Sequence, residues 1–90
     1  MNRIKTSEKE LSSMIKKLSE VPVGTIVIIH SFEVDDIFLK FMEMGIVPGE
    51  MVRVEQVAPL GDPISISVSG YQLSLRLDEA NMIWVEEKSN

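Results

Sequence analysis

Apolar positions along this chain change period at Met44-Gly45-Ile46-Val47-Pro48-Gly49. The segment "SEKELSSMIKKL", Ser7 to Leu18, has helical spacing: Leu11, Met14, Ile15 and Leu18 form one narrow stripe. Ser7 is placed to cap it, and Glu10 stands three residues later in capping-box position. Pro22 and Gly24 end the segment. "TIVIIHSF" is short and β-branched and predicts a strand, with Ile26, Ile28 and His30 on one face and Val27 and Ile29 on the other. "EVDDIFLKFMEMG" returns to helical spacing. Val34, Ile37, Phe38, Phe41 and Met44 fall on one arc, charged residues lie opposite, and Leu39 projects among the charges.

Beyond Gly49 the period is two. Val52 and Val54 alternate with Arg53 and Glu55. Ile64, Ile66 and Val68 alternate with serines, and Tyr71, Leu73, Leu75 and Leu77 with polar residues. Each run predicts a half-buried antiparallel strand, and "MIWVE" a last one after a short "DEAN" turn. Gly45 suits a helix C-terminus, Pro48 and Gly49 a sharp entry into a strand, Gly61, Asp62 and Pro63 a turn, and Ser69-Gly70 a hairpin. Together these predict a mainly β domain with α elements. It is a small SH3-like barrel of five antiparallel strands with one inserted helix and an N-terminal amphipathic helix. Residues 1–17 form the helical extension and 18–90 the barrel domain. The extension's stripe either covers the domain's own core or meets a partner or a second copy, since such a helix is marginal alone.

Composition narrows the functions. Ninety residues bury one core, and the absence of cysteine removes disulfide and thiolate staples. A net charge of −5 argues against nucleic acid, whose phosphates require clustered Lys and Arg. The longest apolar run, Ile26 to Ile29, is too short to cross a bilayer, so no membrane insertion is expected. "MNRIKTSEKE" has no apolar signal region, which leaves a cytoplasmic location as the default.

Catalytic chemistry finds little support. His30 is the one histidine, so no nucleophile has a choice of imidazole partner, and neither "VPVGT" nor "PLGDP" approaches a phosphate loop. No catalytic residue or cofactor is therefore assigned. His30 with Glu33, Asp35 and Asp36 makes a weak oxygen-rich metal candidate, for which a solvated acidic helix start is the plainer account. Contact residues are better represented. Leu60 tips the Pro- and Gly-framed "APLGDP" loop, Leu39 projects from a charged helix face, and Trp84 faces outward or lies under the N-terminal helix.

The motifs Gly24, Met44-Gly45-Ile46-Val47-Pro48-Gly49, Gly61-Asp62-Pro63, Val68-Ser69-Gly70, Leu75-Arg76 and Glu79-Ala80 occur in an order and spacing that resembles the FeoA family. The resemblance covers about residues 18 to 86. It implies an SH3-like barrel and a non-enzymatic accessory role in bacterial ferrous iron uptake, through contact with the cytoplasmic region of a FeoB-type membrane GTPase transporter. It also relates the domain to the C-terminal part of metal-dependent repressors, whose DNA-binding segment this chain lacks. The family offers no agreed catalytic or metal site to transfer. The N-terminal helix and Lys40, where family members often carry Arg, depart from the pattern. Two rival readings remain: a direct ferrous-ion sensor using His30 and nearby carboxylates, and a self-associating module that buries the N-terminal stripe. One imidazole and flexible carboxylates are too few fixed ligands for tight binding. Anaerobic calorimetry with ferrous ion is expected to show no site tighter than about micromolar, near −8 kcal/mol. A tighter stoichiometric site abolished by His30→Ala would favour the sensor.

Overall fold

In the computed structural model, which describes residues 14–87, six strands form one antiparallel sheet. They are β1 (Ile15–Lys17), β2 (Ile26–Phe32), β3 (Met51–Val57), β4 (Ile64–Val68), β5 (Tyr71–Leu75) and β6 (Ile83–Glu87), in the spatial order β1-β6-β2-β3-β4-β5. Two short helices, α1 (Phe38–Glu43) and α2 (Leu77–Ala80), and 3-10 turns at Leu18–Glu20 and Asp35–Ile37 complete the described chain.

The period-two runs translate directly into the core. Register sets Val52 opposite Val68, Val54 opposite Ile66 and Ile64 opposite Leu75, and all six are buried. Ile83 and Val85 from β6 and Val27 and Ile29 from β2 join them, and Leu73 packs partly buried against the same cluster. Ser69 and Gly70 both take positive φ, 51° and 86°, which matches the twist required to fold β4 back onto β5.

Two irregularities re-aim side chains. In β2 the register shifts between Ile29, opposite Val85, and Ser31, opposite Trp84, so His30 is the extra residue of a bulge. The shift lets Phe32, opposite buried Ile83, face the core side like Ile29. In β3 the shift between Val54 and Gln56 leaves Glu55 as the extra residue. Its carboxylate accepts hydrogen bonds from Ser67 at 2.7 Å and from Arg53 at 2.6 Å.

The structure corrects three expectations and resolves a fourth. First, Ile15–Lys17 is a strand and Leu18–Glu20 a 3-10 turn, not the end of an amphipathic helix; residues 7–13 of that expected helix lie outside the described residues. Pairing of β1 along β6, with Lys17 opposite Trp84, outweighs the local helical spacing. The strand count is accordingly six, where five were expected. Second, of the two readings of the N-terminal stripe, core cover or partner contact, Leu18 follows the first and is fully buried.

Third, β5 stops at Leu75. Leu77 begins α2, where the Glu79 carboxylate accepts the Arg76 backbone N–H at 2.9 Å, a local alternative to continuing the strand. Tyr71, expected inward, is largely exposed, and its hydroxyl donates to the Met44 carbonyl at 3.1 Å. That hydroxyl lies where a Cβ on Gly45 would sit, 2.6 Å away, and Gly45 has φ +88°, so glycine is required there twice over. Fourth, Val34 and Phe38 are exposed, because α1 has only six residues and turns a single large side chain, Phe41, fully inward.

Ile66 is fully buried at the centre of β4. Ile66→Ala is expected to cost about 2–5 kcal/mol, read by chemical denaturation. A loss below about 1 kcal/mol would mean that the site collapses around the smaller side chain.

Candidate functional site

With the apolar faces of the strands turned inward, the surface features that need explanation are the apolar side chains left outside. Leu60 is the extreme case, at 95% exposure. Its loop is nevertheless held. Gly61 donates to the Ala58 carbonyl at 2.7 Å, Ala58 donates to the Pro63 carbonyl at 3.0 Å, and Asp62 accepts the Leu77 N–H at 3.0 Å. The loop is thus closed on itself and tied to the start of α2, and Leu60 stands on a defined base.

Leu39 is 66% exposed on α1, and Phe38 and Met42 are exposed beside it. The helix is too short to persist alone. It is held from below by Phe41, whose ring centroid lies 5.2 Å from that of Phe32, and Phe38 stacks on the rim of the same ring at 5.5 Å. At its side Lys40 reaches Glu79 of α2 at 2.6 Å. Both α1 and the Leu60 loop are therefore fastened to one four-residue helix, α1 through Glu79 and the loop through Leu77. At the C-terminal end of α2, the Ser19 hydroxyl donates to Asn81.

Trp84 is half-buried and is not a bare contact residue; residues 1–13, under which it was alternatively expected to lie, are outside the described residues. Lys17 lies over its ring, 5.2 Å from the centroid, and its indole N–H donates to Glu33 at 3.0 Å. Lys17 and Glu33 also approach each other at 3.9 Å. The indole thereby clasps β1 and the segment after β2 onto β6, which is a structural task.

The weak metal candidates are not gathered into a site. His30 is exposed on its bulge with Nδ1 2.9 Å from the Ser31 hydroxyl, and Glu33 is occupied by Trp84. Asp35 and Asp36 open the 3-10 turn before α1, where acidic residues meet free backbone N–H groups. Among the described residues no three His, Asp or Glu side chains are arranged to hold a metal ion. Among those same residues no helix is long and apolar enough to cross a membrane.

The sequence pattern singled out Leu39 and Leu60 but missed Phe38 and Met42 as their company. It also missed the Lys40–Glu79 and Asp62–Leu77 ties. Lys40 and Glu79 are far apart in sequence, and no local spacing could have paired them.

A six-stranded antiparallel sheet with a short helix inserted between its second and third strands makes a small, mainly β module of SH3-like type. Solved structures agree. An FeoA-like protein from Clostridium acetobutylicum superposes with a TM-score of 0.78 at 37% identity, covering 86% of this chain and 91% of that one. The FeoA of Stenotrophomonas maltophilia in complex with zinc, an SH3 domain protein, gives 0.68 at 30% identity, covering 79% and 89%. The FeoA domain family model matches residues 16–87, and the chain belongs to that family. A Porphyromonas gingivalis protein, a fusion of Fe(2+) transport protein A with the Fe(2+) transporter FeoB, is 39% identical over 71 residues. That match takes in 78% of this chain but only 8% of the fusion protein's length.

The Lys40–Glu79 tie carries a pH signature. The Lys40 ammonium and then the Arg76 backbone N–H hold the Glu79 carboxyl below its ordinary value of 4.5, against the opposing effect of partial burial. A carboxyl lowered by folding stabilises the fold above its unfolded-state pKa, and that contribution disappears as pH falls through the folded-state value. Glu79→Gln is therefore expected to cost about 0.5–1 kcal/mol at neutral pH, and the gap from the parent should close on acidification below 4.5. Urea denaturation of both proteins at neutral and acid pH reads this. A gap that stays constant would mean that the ion pair contributes nothing.

Proposed function

We propose that this chain is a non-enzymatic accessory module of ferrous iron transport, acting by direct contact with the cytoplasmic region of a FeoB-type transporter. One observation carries the reading. Leu39 and Leu60 expose large apolar surface on elements that are otherwise tightly supported, so their exposure does not come from a loosely held backbone. Apolar side chains on a held backbone lose little conformational freedom on binding, which favours their use as contact residues. The relatives supply the partner's class: FeoA proteins match over most of their length, and in the P. gingivalis fusion the FeoA part and the transporter are one polypeptide. A module that works on a transporter in one chain can do so as a separate protein when its surface holds the same contact.

Leu39 and Leu60 are the contact residues in this reading, and Trp84 belongs to the fold. Changing either leucine to glutamate removes no core packing, so the melting temperature should stay close to the parent's. A charge placed in an apolar contact must be desolvated without a partner. Leu60→Glu and Leu39→Glu are each expected to weaken binding by about 2 kcal/mol or more, roughly thirty-fold in Kd. The measurement pairs a thermal melt with a binding assay against the transporter's purified cytoplasmic region. Parent-like melting with parent-like binding in both variants would take these residues out of the interface. Failure of the parent itself to bind would contradict the transporter-contact reading.

A further inference from the structure

The outer face of α1 combines two properties, of which the contact reading uses only the exposure of Leu39. Leu39 and Met42, at 66% and 42% exposure, fall within the half of the helix that faces away from Phe41, and Phe38, at 40%, lies at the edge of that half. Carboxylates border this apolar patch on the same helical segment: Asp35 and Asp36 one turn before it, and Glu43 at its end. The one basic residue of the segment from Glu33 to Gly45, Lys40, points its ammonium at Glu79, 2.6 Å away, and is neutralised there. The patch is thus apolar at its centre and uncompensated negative at its rim.

We propose that this face docks a basic amphipathic helix: apolar side chains over Phe38, Leu39 and Met42, and lysine or arginine side chains against Asp35, Asp36 and Glu43. A helix suits the footprint because three apolar side chains within two turns match the spacing of the apolar stripe on a facing helix. The charge selects its chemistry. An acidic or neutral helix would bring like charges together or leave the rim unpaired, whereas a basic one is steered to the patch and oriented on it. An anionic membrane surface, also apolar beneath, is disfavoured because headgroup phosphates would face the rim carboxylates. The proposal rests on the transporter-contact reading only for where such a helix comes from; the surface chemistry stands apart from it.

The test uses the full chain, labelled for amide NMR, titrated with a synthetic peptide of leucine and lysine patterned as an amphipathic helix. A matched peptide carries glutamate for every lysine. The expected result is saturable shifts concentrated over residues 34–43, with the glutamate peptide weaker by roughly ten-fold or more and the difference shrinking as salt is raised. Met42→Glu should remove binding of the lysine peptide. The double variant Asp36→Lys with Glu43→Lys, whose unbound spectrum reports its fold, should reverse the preference toward the glutamate peptide. Equal affinity for both peptides, or shifts centred away from α1, would overturn the proposal. So would association of the parent with anionic phospholipid vesicles through the same residues. The binding assay against the transporter's cytoplasmic region does not enter this measurement, so either can fail while the other succeeds.

Discussion

The seating of Phe41 against Phe32 is the contact on which the exposed surface depends. A helix of six residues has no stability of its own, and α1 exists because one aromatic ring is fully buried beneath it. Phe32 can meet that ring only because His30 is an extra residue in β2. Without the bulge, strict alternation from Ile29 would send Phe32 to the outer face. Once Phe41 is seated, the rest of the helix has no freedom of rotation. Phe38 must lie at the rim, Lys40 must reach toward α2, and Leu39 and Met42 must point outward. A one-residue irregularity in a strand thus decides which apolar side chains α1 presents.

Local pattern carried much of this architecture. The runs from Val52 to Val54, Ile64 to Val68 and Ile83 to Val85 alternate with few interruptions, and their inward residues are buried as alternation demands. Pattern failed where a long-range pairing competed with it. Leu11, Met14, Ile15 and Leu18 have helical spacing, yet Ile15–Lys17 lies along β6, where backbone pairing and the clasp of Lys17 over Trp84 decide the conformation. It failed again at Leu77, which continues the alternation of β5 but opens α2, because Glu79 offers the Arg76 N–H a nearer acceptor. Bulges are equally hidden: nothing about the residue types of His30 or Glu55 marks them as extra.

For the candidate surface, the sequence exposed the conspicuous residues and concealed their supports. Leu39 among charges and Leu60 between Pro59 and Gly61 stand out by residue type alone. What makes them useful is that their backbones are held, by Phe41 and Lys40 in one case and by Asp62 in the other. The partners that those residues hold, Glu79 and Leu77, are distant in sequence. The reverse holds for Trp84, whose residue type suggests a contact but whose indole is already engaged by Lys17 and Glu33. His30, a weak ligand candidate by sequence, sits on a bulge whose geometric role no local pattern announces.

Amide hydrogen exchange of the full chain, with and without the cytoplasmic region of a FeoB-type transporter, bears most directly on the claim that the module works through its outward helix and loop. The account predicts slowed exchange over residues 34–43 and 58–62 in the complex. Exchange in β4 and β5, which lie outside those two segments, should remain that of the free chain. Protection centred on β4 and β5 instead, or no change anywhere at saturating partner, would contradict it.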